Sequence, residues 1–120
     1  RRGQMWGYAW GADYPDAENF LQLFYSKNAS PGPNDANYAN PEYDKLYEKS
    51  LLTRNLKERE GIYRKMVEIL VEDAPWIFGV HRLAFNLVHP WLRNYKITEF
   101  GHDRYKYYGI DVAAKQAAGR

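Results

Sequence analysis

The sequence contains no cysteine, which excludes disulfides and thiolate metal sites and leaves reducing and oxidising compartments equally open. It lacks any apolar run near the ~20 residues that span a bilayer. No charged-then-apolar leader stands at its start. The chain opens instead on Arg1-Arg2 and runs straight into strand-like sequence, so it reads as a piece of something longer, whose residence is not fixed by that opening. Charge of one sign is also missing. Seventeen Lys+Arg stand against 15 Asp+Glu, a net charge of +2, and the signs are interspersed, so nothing marks a nucleic-acid or anionic-membrane surface.

Several catalytic signatures are absent too. There is no nucleophile-elbow serine, phosphate-cradling glycine loop or dinucleotide fingerprint. His81, His89 and His102 lack metal-ligand spacing, and His81 reads as a half-buried structural residue. Nothing calls for a cofactor.

Aromatic rings are what the chain has in excess. Tyr (11), Phe (5) and Trp (4) make up 17% of its 120 residues, more than one small core needs. Some are therefore expected to face a ligand, a partner or further protein. The length suits one small domain, burying roughly two thirds of its unfolded surface.

Residues 4–10 alternate bulky and small side chains and predict a strand. A Gly/Pro-bounded loop, 11–15, follows. Asp16 is placed to cap a short helix over 17–25, with Phe20, Leu21, Phe24 and Tyr25 as its apolar face. Residues 26–39, rich in Pro, Gly, Asn and Asp, predict a loop. Asn40-Pro41-Glu42 starts a helix with Tyr43, Leu46, Tyr47 and Leu51 at helical spacing, ending near Thr53-Arg54. Asn55 and Glu58 form a capping-box-like pair for a helix to about Asp73. Ile62, Met66, Ile69 and Leu70 are its buried stripe; Lys57, Arg59, Arg64, Lys65 and Glu68 are its wet face. Pro75 closes it.

Short strands are expected at 76–80, 83–88 and around 105–110, with Pro90, Gly101 and Gly109 as punctuation and a frayed tail over 113–120. The order β-α-α-α-β-β is an α/β or mixed α+β pattern with too few strands to close a sheet by itself.

Asp13, in Trp10-Gly11-Ala12-Asp13-Tyr14-Pro15-Asp16, is the leading candidate for chemistry. It would stand at a strand end beside the rings of Trp10 and Tyr14, where partial desolvation would strengthen its pairing with an ammonium group. The same carboxylate could simply cap Tyr14 or the amides before the helix. A glycosidase-like acid pair of Asp13 with Asp16 or Glu18 is a second functional reading. A module whose aromatics only pack is a third. Asp16 and Glu18 also suit the positive end of the helix. The run Arg104-Tyr105-Lys106-Tyr107-Tyr108 could stack on single-stranded nucleic acid, although an amphipathic strand or a segment crossing to another lobe is the preferred reading.

The chain resembles the C-terminal part of a family 5 extracellular solute-binding protein, the group holding dipeptide- and oligopeptide-binding components of bacterial ABC importers. The resemblance runs through most of residues 5–110. It rests on Trp10 to Asp16 with Asn19-Phe20-Leu21, Asn37-Tyr38, Asn40-Pro41-Glu42-Tyr43-Asp44-Lys45-Leu46, Glu58-Arg59 with Ile62-Tyr63, Asp73-Ala74-Pro75-Trp76-Ile77, and Asn94-Tyr95. It implies a two-lobed receptor, periplasmic or lipid-anchored at the outer face of the cytoplasmic membrane, that closes on ligand by hinge motion and serves an importer permease.

On this resemblance, residues 1–80 belong to the second ligand-binding lobe, 81–112 cross back toward the first, and 113–120 form the tail. The resemblance implies a non-enzymatic role in which Asp13 holds the free amino group of a short peptide. The main chain of Ala9–Ala12 would pair with that peptide as an added strand, and Trp10, Gly11 and Tyr14 would border the cavity. The family also includes receptors for nickel complexes, haem, sugars and opines. Gly7 stands where some oligopeptide receptors carry a basic residue for the ligand carboxylate. An isolated chain of this kind would leave apolar surface uncovered and is expected to self-associate.

Overall fold

The computed structural model of the chain describes residues 4–97 and 103–119. Arg1, Arg2, Gly101, His102 and the terminal Arg120 lie outside the described residues. The chain divides into two units, one up to Phe78 and one from Gly79.

In the first unit, helix α1 (Glu18–Leu21) runs into a 3-10 turn (Gln22–Phe24), and helices α2 (Pro41–Leu52) and α3 (Leu56–Asp73) pack on each other. Local chemistry sets the helix starts. The Asn40 side chain accepts from the amides of Glu42 (2.9 Å) and Tyr43 (3.2 Å), with Pro41 at the first helical position. The Asn55 side chain accepts from Glu58 N at 3.1 Å. The Glu58 carboxylate turns toward Lys49 Nζ, 3.8 Å away. Beyond α3, Ala74 takes a left-handed conformation (φ 44°) and its N–H returns to Leu70 O at 3.0 Å, ahead of Pro75.

The core is Leu21, Leu23, Phe24, Tyr43, Tyr47, Ile62, Met66 and Leu70. Ile69 packs at its margin, as expected of the α3 stripe. The first short helix departs from its expected phase. After one turn the chain tightens to three residues per turn, so Leu23 joins Leu21 and Phe24 inside while Phe20 is 44% exposed. On α2, Leu51 faces solvent and Ser50 is buried in its place, its hydroxyl donating to Tyr47 O at 2.7 Å. Arg59, expected on the wet face of α3, is half-buried against Asp16.

The 26–39 loop is ordered by one buried side chain. Asn34 Nδ2 donates to the carbonyls of Tyr25 (3.1 Å) and Tyr38 (2.8 Å), and its Oδ1 accepts from Tyr38 N (3.1 Å). A Cβ at Gly32 would fall 2.4 Å from Asn28 O, so the turn closes only around glycine.

The expected strands over 4–10, 76–80 and 83–88 take no regular element and join no ladder among the described residues. A strand exists only by pairing, and alternation cannot supply the neighbour. In the second unit, β1 (Leu92–Arg93) pairs antiparallel with β2 (Gly109–Ile110), Leu92 opposite Ile110 and Arg93 opposite Gly109. Only the end of the expected 105–110 strand is therefore a strand, because Arg104–Tyr107 coil into a 3-10 turn. Within the tail, Val112–Ala118 form helix α4. Its start is fixed by the Asp111 carboxylate, which accepts from Ala114 N at 2.9 Å and pairs with Arg93.

Candidate ligand-binding site

The loop entering α1 is organised by Asn19, a polar side chain only 1% exposed. Its Oδ1 accepts from Trp10 Nε1 at 2.8 Å and from the Asp13 main-chain N–H at 3.2 Å. Its Nδ2 faces Asp13 Oδ2 at 3.4 Å, a long contact that leaves the carboxylate with unused acceptor capacity. Asp13 itself is exposed, and among the described residues no cation pairs with it.

Trp10 is half-buried on the core margin, its ring stacked with that of Tyr8 (centroids 6.2 Å apart, 13° between planes). Ala9 and Gly11 are exposed and Ala12 half-buried. Residues 9–12 make no main-chain hydrogen bond to the main chain of any described residue, so the segment just before Asp13 is unpaired there. Tyr14 is 42% exposed and its hydroxyl is bound to Glu18, which raises the phenol above its ordinary value. The two rings flanking Asp13 thus differ, Trp10 fixed to the core and Tyr14 outside it.

The neighbouring acids are occupied. Asp16 Oδ2 lies 2.8 Å from Arg59 Nη1, and its Oδ1 accepts from the Glu18 amide (2.9 Å) and the Tyr63 hydroxyl (2.9 Å). Burial alone would raise this carboxyl, but those hydrogen bonds and the guanidinium outweigh it and hold it below its ordinary value. Glu18 accepts from the hydroxyls of both Tyr14 and Tyr47. An acid–base partnership of Asp13 with Asp16 or Glu18 would have to break these contacts first. Sequence reasoning singled out Asp13 and missed Asn19 and Arg59. The available signal was a polar residue on the inward side of a short helix, and an Arg one turn before Tyr63 on α3.

A groove of about 390 Å³ lies alongside the 4–8 segment, walled by Met5, Trp6, Tyr8, Pro75, Trp76 and Ile77 among others. Trp10, Asp13 and Tyr14 are not in its wall. Elsewhere, Lys106 stands over the Tyr107 ring at 5.0 Å and Arg104 over Tyr105 at 5.9 Å. That aromatic-basic run pairs its own cations and rings within the 3-10 turn. No group of His, Asp or Glu suited to a metal occurs among the described residues, and no described helix is long and apolar enough to cross a membrane.

The described elements, helices with a small two-stranded sheet, are consistent with a piece of a periplasmic-binding-protein fold. Over 108 residues, 90% of this chain and 19% of the relative, it is 30% identical to heme-binding protein A of Haemophilus influenzae. It is 35% identical to the periplasmic oligopeptide-binding protein OppA of the same organism over 86 residues, 72% of this chain and 15% of the relative. The probable di/tripeptide-binding protein 5 of Pseudomonas aeruginosa is 30% identical over 93 residues, 77% of this chain and 18% of the relative. The chain belongs to the family 5 extracellular solute-binding proteins. It spans less than a fifth of the length of these relatives. No protein-family model matches it, and no solved structure does.

Proposed function

We propose that this chain forms part of the ligand-binding wall of a periplasmic receptor that delivers short peptides to an ABC importer, with Asp13 receiving the free amino group. Two of the relatives are peptide-binding proteins by name and the third a heme-binding protein. Peptide is favoured by the observation that carries the reading. An exposed carboxylate, already oriented by Asn19 and with no cation on it among the described residues, follows directly on residues 9–12, whose main chain is unpaired among the described residues. A peptide lying antiparallel to residues 9–12 would exchange main-chain hydrogen bonds with that segment and bring its ammonium to Asp13. Its affinity would come from backbone and charge, so many side chains would be accepted.

The lobe opposite would exclude water on closing, and only then does the ion pair gain strength. Losing one partner of a desolvated pair costs about 3–5 kcal/mol, or at least a hundredfold in affinity at about 1.4 kcal/mol per decade. Titration calorimetry on the whole protein with a tripeptide is the test. Asp13→Asn is expected to lose that affinity, and an amino-acetylated tripeptide to bind the unaltered protein equally poorly. Unchanged tripeptide affinity in Asp13→Asn overturns the role.

A further inference from the structure

We propose that Asn19 is the positioning residue that makes this site selective for ligands bearing a free amino group. The inference rests on the assignment of Asp13 to the ligand amine.

The geometry separates two tasks within one side chain. Asn19 is almost fully buried, and its carbonyl oxygen gathers two donors from different parts of the chain, the Trp10 indole at 2.8 Å and the Asp13 amide at 3.2 Å. That grip fixes the backbone between the unpaired segment and α1. The amide nitrogen of the same side chain then faces the Asp13 carboxylate at 3.4 Å. It also donates where a cation would otherwise sit, so the carboxylate is oriented without being neutralised. An Arg or Lys at that place would hold Asp13 just as firmly and cancel the charge a ligand ammonium needs. Asp16, three residues on, shows the alternative, since Arg59 and Tyr63 occupy it.

The charged and titratable groups around the loop are consistent with this division. Asp16 is satisfied from α3 by Arg59 and Tyr63. Glu18 is satisfied by Tyr14 and by Tyr47 of α2. Each acid near Asp13 is thereby tied to a partner of its own. Asn19 is the one described side chain that holds both the Asp13 amide and its carboxylate, apart from these neighbours.

A purely structural asparagine would hold the fold alone, and the test reads a quantity that such a role would not move. In the whole protein, the ratio of affinities for a tripeptide and its amino-acetylated form is measured for Asn19→Ala and Asn19→Asp. Asn19→Asp keeps an acceptor for the Trp10 and Asp13 N–H groups, preserving the fold contact if Asn19→Ala fails to fold. It replaces the donor facing Asp13 with a second carboxylate oxygen. Both variants are expected to lose tenfold or more for the free-amino peptide while the acetylated form changes less than twofold. The Trp10 indole proton resonance should stay in place in Asn19→Asp. An unchanged ratio in Asn19→Asp overturns the proposal, as does an equal loss for both ligands. If Asp13→Asn itself leaves the ratio unchanged, the assignment of Asp13 has failed. A collapsed ratio in Asp13→Asn with an intact one in Asn19→Asp sinks the Asn19 role alone.

Discussion

Arg59 Nη1 on α3 lies 2.8 Å from Asp16 Oδ2, and this pair anchors the Asp13 loop to the helical body. The guanidinium also stands 5.2 Å from the centre of the Tyr63 ring, whose hydroxyl holds the other Asp16 oxygen. The arrangement separates two acids three residues apart. Asp16 is consumed as a structural post, and Asp13 projects from the loop that the post supports.

Arg59→Ala is therefore expected to destabilise the whole protein by about 1–3 kcal/mol, between the values for exposed and fully buried pairs. Arg59→Lys should recover part of the loss, because it keeps the charge and gives up the planar fork. Urea denaturation measures both. The sign with pH follows from Asp16, whose folded carboxyl is depressed. Its contribution is present above the ordinary value of 3.8 and disappears as the pH falls through the lower folded value. Arg59→Ala and the unaltered protein should converge in stability only on the acid side of that value.

The alkaline limb depends on tyrosines. Burial, then the hydrogen bond to Asp73, pushes Tyr38 up to about 12, and burial with the bond to Asp16 pushes Tyr63 up to about 12. Tyr43 and Tyr47 are raised further, chiefly by burial. The unfolded chain releases these protons near pH 10 and the folded one retains them, so stability is full below 10 and falls as pH rises through about 12. Tyrosinate absorbance should accordingly rise in two stages, with the second coinciding with loss of helical circular dichroism. A single stage that leaves the helices intact would contradict it.

Tyr43→Phe isolates one buried hydrogen bond. The ring is fully enclosed between Phe24 and Tyr38, and its hydroxyl donates to Leu21 O at 2.7 Å, joining α2 to α1. Phenylalanine preserves the packing and removes that one hydrogen bond, while the 3-10 turn still supplies the Leu21 carbonyl with a donor, at a cost of about 0.5–1.5 kcal/mol. Since α1 carries Asn19, peptide affinity should weaken along with stability. Chemical denaturation and calorimetry on the same preparation check the two together.

The sequence carried the helices because their determinants are local. Asn40 and Asn55 reach amides two or three residues away, and Pro41 and Pro75 act on their own backbone. Strands depend on a distant partner, so the alternation at residues 4–10 and 83–88 marked strand-forming chain without saying what it pairs with. The site was legible only in part. Asp13 stood out as an acid in an aromatic loop, whereas its contrast with Asp16 was decided by Arg59, more than 40 residues on. Asn19 reveals its task only once Trp10 and Asp13 are brought against it.

The segment after α3 yields the last expectation. Ile77, Val80, Leu83, Phe85 and Leu87 are each more than 80% exposed, and residues 75–88 make no main-chain hydrogen bond to the main chain of any described residue. Leu83, Phe85 and Leu87 recur every second residue, so extended chain presents them on one side, ready to line a sheet. Apolar side chains and unpaired amides exposed together are what edge-to-edge association needs. The 120-residue chain prepared alone should bind a hydrophobic dye and elute above its monomer size. Replacing Leu83, Phe85 and Leu87 with Lys should return it toward the monomer, because charges along an open edge oppose pairing. The same triple change in the whole protein should instead impair folding, if the remaining sequence covers that row. A monomer without dye binding for the unaltered chain would show that the row associates with nothing by itself.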